Sequence, residues 1–252
     1  MISYTLERVY SSLLESTSDW EERWEEIYLP SRPTHREARR CTLERPVTDL
    51  AEITGLNGAI LVLDKVLKEK KLLKIFACDC AETALFLPSF EQQFPNDNRV
   101  INAIKVVRDP ASIAADIDAA TKDAWAFAQA ASQAALEKVR SQSGEFNSVF
   151  SHALSGLRAL QASDNEARNE AIATMVYDPG LVGSEFDDIL TAYAALISAL
   201  WAMRGNTEEA ARCARIAALY YELPSDEMYN QRHRLIQYLE HGTDAANMPW
   251  PL

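Results

Sequence analysis

The stretch Phe76–Pro110, FACDCAETALFLPSFEQQFPNDNRVINAIKVVRDP, constrains this chain more than any other, because its prolines and short polar side chains dictate where helices stop and start. Pro88 removes a backbone donor just after Leu87, so a helix running through Phe76 must kink or restart there. Phe94-Pro95 stops the short segment that follows. Asn96 or Asp97 then offers an acceptor to the free N–H groups of a new helix, on which Val100, Ile101, Ile104 and Val107 recur at helical spacing. Asp109-Pro110 is a further start, an N-cap followed by proline at the first helical position. The stretch is expected to begin three helices.

The rest of the chain carries the same helical period. Leu6, Val9, Tyr10, Leu13 and Leu14, then Trp20, Trp24, Ile27 and Tyr28, predict one or two short amphipathic helices over 1–29. An arginine-rich segment between Pro30 and Pro46 (Arg32, Arg36, Arg39, Arg40, Arg45) is expected to be a loop or a short exposed helix. Helix resumes from Val47, with Gly55-Leu-Asn-Gly58 as a turn and Ala59–Leu73 as an amphipathic helix studded with lysines. A strand over Ile60–Leu63 is the alternative there, disfavoured because it would lack a pairing partner.

Pro110–Arg140 is the clearest single helix, since 12 of the residues 111–140 are alanine, the best helix former and one small enough for close helix approach. Further helices are expected over Glu145–Gln161 and Glu166–Tyr177. After the loop Asp178–Gly183, Ser184 and Asp187 have capping-box spacing, and Phe186, Ile189, Leu190, Tyr193, Ile197, Leu200 and Trp201 mark a central core helix. Gly205-Asn206 predicts a tight turn into an alanine-rich partner helix over Ala210–Tyr221, together an αα-hairpin. Pro224-Ser225 restarts the chain for Asp226–Glu240, and Gly242 stops it, leaving a tail expected to be extended.

These elements predict an all-α protein, an irregular multi-helix bundle or a short helical solenoid of antiparallel helix pairs. The expected division is a helical extension over 1–58, a main helical domain over 59–242 and a tail over 243–252.

Charge and cysteine usage bound the function. The 252 residues carry 25 Lys+Arg against 37 Asp+Glu, a net −12. Residues 75–252 hold 13 basic and 24 acidic side chains, so phosphate repulsion argues against nucleic-acid binding and the acidic body suits a basic partner. No apolar run approaches the about 20 residues of a membrane span, and the start MISYTLERVYSS is not a secretory signal, so a cytoplasmic protein is expected. Cys41, Cys78, Cys80 and Cys213 read as small buried hydrophobes. Two residues apart on a helix, Cys78 and Cys80 point apart and cannot share a metal.

No phosphate loop, GxSxG elbow or HExxH occurs, and His35, His152, His233 and His241 are scattered. No catalytic residue, cofactor or metal site is expected.

The run Asp79-Cys80-Ala81-Glu82, with Phe90-Glu91, Phe94-Pro95, Asp97, Arg99, Ala103-Ile104 and Arg108, resembles the immunity proteins of bacterial polymorphic toxin systems, and the resemblance extends through the helix of Trp125 to about Leu239. It implies a non-enzymatic protein that binds a co-produced toxin domain and keeps it from harming its maker. Cys80, Glu82, Asp97, Arg99, Arg108 and Trp125 are then motif residues with a structural role; by their own chemistry Asp79, Glu82, Asp97, Arg99 and Arg108 either pair with one another and fix the turn between helices or, some of them, contact a partner. An exposed acidic surface, represented by Glu185, Asp187, Asp188, Asp226 and Glu227, would meet a basic cleft on the toxin. The alternatives are a helical scaffold for another protein partner and, behind it, a carboxylate-based enzyme.

Overall fold

The computed structural model describes residues 3–5, 44–46, 50–142, 187–221 and 224–249. The described residues are all-α apart from one small antiparallel pair, β1 (Ser3–Thr5) with β2 (Glu44–Pro46), in which Tyr4 is opposite Arg45. The pairing corrects two expectations locally: residues 3–5 are extended rather than helical, and the end of the arginine-rich segment is a strand. The aromatic stripe Trp20–Tyr28 and the helices expected over 145–177 lie outside the described residues.

The helices are α1 (Leu50–Val62), α2 (Lys70–Leu85), α3 (Pro88–Gln93), α4 (Arg99–Arg108), α5 (Ala114–Gln142), α6 (Asp187–Met203), α7 (Thr207–Tyr220) and α8 (Pro224–His241). Ile60–Leu63 is helical, not a strand. The expected turn at Gly55–Gly58 narrows to a single break inside α1, at Gly55, whose φ of 69° is open to glycine because no Cβ has to be placed there. The single helix expected over Ala59–Leu73 is instead divided. A π turn, Leu63–Leu67, follows α1, and Lys68 adopts a left-handed conformation that turns its N–H to the Leu63 carbonyl before α2 begins.

Punctuation in the central stretch works largely as expected. Leu87 is extended, as a residue before proline must be, and Pro88 takes the first position of α3. The Asp97 carboxylate accepts the Arg99 N–H at 3.1 Å, at the start of α4. The last start is displaced. Asp109 Oδ1 accepts the Ala111 N–H at 2.8 Å and its carbonyl accepts from Ser112, so Asp109 closes a turn and α5 begins only at Ala114.

Two helices share the centre. Eleven of the 16 residues of α2 are buried, so it is covered all round rather than amphipathic. It packs on α6 and α7, more than a hundred residues later in the chain, and on α4 and α8 as well. The contacts of α6 run to α7, α2, α3, α4 and α5. A solenoid layer touches only its sequence neighbours, so this arrangement is the bundle of the two expected forms. The α6–α7 pair is the expected hairpin: Gly205 is left-handed, the Glu209 N–H donates to Asn206 Oδ1 at 3.2 Å, and Ser198 Oγ donates to the Ala210 carbonyl at 2.7 Å across the pair. Gly242 stops α8, also left-handed, but the tail is not extended, because Gly242–Asn247 forms a 3-10 turn that buries Ala245. No helix among the described residues is long and apolar enough to cross a membrane.

Candidate functional site

Arg108 of the motif stretch and two side chains of α8 converge on one carboxylate. Asp79, at the middle of α2, is 2% exposed. Its Oδ2 accepts from Arg234 Nε at 2.6 Å and from Tyr238 Oη at 2.6 Å, two α8 side chains one helical turn apart on the same face. Arg108, in the last turn of α4, brings Nη2 to 2.6 Å from Asp79 Oδ1, without the alignment of a hydrogen bond. Its Nη1 donates to Glu82, one turn along α2 from Asp79. Both arginines also reach the tail: Arg108 Nη2 donates to the Ala246 carbonyl at 3.2 Å, and Arg234 Nη1 to the Met248 carbonyl at 3.1 Å as well as to Gln237 Oε1 at 3.0 Å.

Burial raises the Asp79 pKa, and the Tyr238 hydrogen bond and the two guanidiniums oppose the rise. Burial equally works against the charge of Arg108, but Asp79 and Glu82 together lift its pKa above the ordinary guanidinium value.

The other motif residues pack. Arg99 grips Asp97, its Nε 3.1 Å from Oδ1, and lies over the Phe127 ring at 4.6 Å, joining α4 to α5. The Arg99 hydrogen bonds hold the Asp97 carboxyl below the usual carboxylate range. Phe94 meets Phe90, Phe127 and Tyr193 edge to face at 5.1, 5.2 and 5.6 Å, tying α3 to α5 and α6. Trp125 of α5 is half-buried, with the Arg204 guanidinium 4.3 Å over its ring. Cys78, Cys80 and Cys213 are buried free thiols, and burial pushes Cys78 and Cys213 up to about 12 and Cys80 well above its ordinary value. As thiols rather than thiolates they are poor nucleophiles. Cys41 lies outside the described residues, among which no group of three or more His, Cys, Asp and Glu is placed to hold a metal ion.

The acidic residues expected to form a partner surface separate. Asp188, in the first turn of α6, is exposed and accepts a hydrogen bond from the buried Ser89 hydroxyl at 2.7 Å, so it also fastens α3 to α6. Asp187 begins α6 and Asp226 lies in the first turn of α8, whereas Glu185 falls outside the described residues.

Glu227 corrects the expectation of an exposed acid, for it is only 6% exposed. Gln231 Nε2 donates to its Oε1 at 2.8 Å, while Gln231 Oε1 accepts from Arg215 Nη1 at 2.9 Å and Arg215 Nη2 reaches Asn57 Oδ1 at 3.2 Å. The reason is helical phase: Glu227, Gln231, Arg234, Leu235 and Tyr238 share the buried face of α8. Burial pushes the Glu227 carboxyl up to about 7, against the Gln231 hydrogen bond and the Arg215 charge. The same burial lowers the pKa of Arg215.

Arg234, Tyr238, Gln231 and Arg215 escaped the sequence reading. The available signal was polar side chains set among the apolar positions Leu235 and Leu239, but their partner Asp79 is 155 residues from Arg234. Asp79 and Glu227 are thus two buried carboxylates with raised pKa, the first held by Arg234 and Tyr238 and the second by Gln231.

Comparison with curated proteins and with solved structures finds no match. The late helices α6–α8, over which the resemblance is also expected, lie outside the residues that the family model matches. Residues 66–143, which hold α2 to α5 and with them Asp79, Glu82, Asp97, Arg99, Arg108 and Trp125, match the family described as "Imm-5 like putative immunity protein".

Proposed function

We propose that this chain is a non-catalytic immunity protein of the cytoplasm that binds a cognate toxin domain and neutralises it by occluding its working surface. The observation that carries the reading is the family match over residues 66–143, on a stretch whose motif residues are bound to one another. Asp79, Glu82 and Arg108 form an internal ion network, and Asp97 and Arg99 a second pair, so the motif supports a scaffold rather than a reacting centre.

The toxin-facing surface is acidic in this reading, with Asp187 and Asp188 at the start of α6, Asp226 at the start of α8, and Glu185 just before α6. Glu227 is withdrawn from it by burial. A basic cleft on the toxin is the complementary surface, and long-range attraction between the two speeds encounter.

The test is growth rescue by the full chain against the toxin domain encoded beside its gene, followed by a pull-down of the pair. Rescue with a stable complex is the expected result. Charge reversal of Asp187 and Asp226 to lysine, which spares the hydrogen bond from Ser89 to Asp188, should slow association by about tenfold or more at low salt. Absence of both rescue and complex would sink the proposal.

A further inference from the structure

We infer that the Arg108–Arg234 pair, held in place by Asp79, is a backbone-carbonyl site that latches the chain's own tail, so that residues 245–248 form a strap hinged at Gly242 whose closure depends on the Asp79 carboxylate.

The geometry has three parts. First, one carboxylate aligns two guanidiniums from different helices: Arg234 Nε is 2.6 Å from Oδ2 and Arg108 Nη2 is 2.6 Å from Oδ1. A guanidinium carries five donors in a rigid fork, so fixing one edge on the carboxylate aims the others.

Second, the aimed donors meet carbonyls two residues apart on the tail. Arg108 Nη2 donates to Ala246 at 3.2 Å and Arg234 Nη1 to Met248 at 3.1 Å. These are charge-assisted bonds to a neutral chain, stronger than ordinary amide pairs. They read backbone rather than side chains.

Third, the tail leaves the body at a single glycine. It departs α8 at Gly242, left-handed with φ 63° and with no atom within 4 Å of where a Cβ would stand. Within the strap the Met248 N–H returns to the Ala245 carbonyl at 2.9 Å, a single-turn bond that is shielded from water only while the strap lies on the body. Ala245 is fully buried and Ala246 and Met248 pack on the main core, so an open strap would uncover apolar surface next to the motif stretch.

The experiment is amide hydrogen exchange on the full chain, following the 242–249 segment against the α6–α7 hairpin as an internal control. In Asp79→Asn the guanidiniums lose their ionic anchor, and in Arg108→Lys the charge stays but the fork that spans Asp79, Glu82 and the Ala246 carbonyl is lost. Both variants should speed exchange at the Met248 amide by about tenfold or more beyond any change in the hairpin, since losing one charge-assisted bond is worth a factor of that order and a fall in global stability moves tail and hairpin alike. Unchanged tail exchange in either folded variant would overturn the latch. Equal loss of protection in tail and hairpin would overturn it as well, because the strap would then open only when the body does. Failure of Asp79→Asn to fold leaves the decision to Arg108→Lys, and failure of both counts against a separable strap.

Discussion

Asp79 and Glu227 are two buried carboxylates on helices packed against each other, and the protein treats them differently. Asp79 has two guanidiniums and a phenol in contact with its oxygens. Glu227 has one amide, Gln231, with the nearest guanidinium one hydrogen bond further away at Arg215. Burial raises both pKa values, and Glu227, with no cation in direct contact, is pushed up to about 7. A buried charge is tolerated when its partners are brought to it, and a family-matched residue, Arg108, is among those brought to Asp79.

The comparison breaks most visibly at Asp79 itself. Asp79→Ala leaves Arg234 buried and Arg108 half-buried with no common anion, and should cost about 3–5 kcal/mol in denaturant unfolding. Glu227 should behave in the opposite sense. Its folded pKa of about 7 lies above the ordinary 4.5, so the folded state binds the proton more tightly and stability falls as pH rises from 4.5 through 7. Glu227→Gln should remove that slope and stabilise the protein at pH 8 by up to about 3 kcal/mol, read from unfolding midpoints across pH 5–8. Stability of the parent chain that rises over the same window would contradict the assignment.

Two smaller changes sharpen the contrast. Tyr238→Phe removes one donor from Asp79 while keeping the ring edge-on to Phe76, and should cost about 2 kcal/mol, as expected for a hydrogen bond to a charged group. Arg99→Ala breaks a pair that water already surrounds. Because Arg99 holds the Asp97 carboxyl low, the pair's contribution is present above the ordinary pKa of 3.8 and fades as pH falls through the folded value. Its loss should cost under about 1 kcal/mol at neutral pH, and less in high salt, whereas the Asp79 effect should be nearly insensitive to salt.

Legibility followed the range of the interaction. Pro88, Gly205, Asn206 and Gly242 act on backbone within a few residues, so the helix boundaries they set were readable. Where a local signal admitted two outcomes, the reading slipped. Asp109-Pro110 could cap a helix or close a turn, and it closes a turn. Ala59–Leu73 has an unbroken helical period, and nothing in that period announces the left-handed Lys68 that divides it. Glu227 stands among acids near a helix start, and only the phase of α8 against its neighbours turns it inward.

The sequence by itself determined the all-α class, the α6–α7 hairpin and the motif stretch with its likeness to an immunity-protein family, because periodicity, capping and residue identity are local properties of the chain. The tertiary structure alone decided that Asp79 is shared by Arg108 and Arg234, that Glu227 is buried beside Gln231, and that the tail folds back onto both arginines. Arg234 and Asp79 are 155 positions apart and Arg108 and Ala246 are 138, and no local propensity encodes which distant helix a buried charge will face.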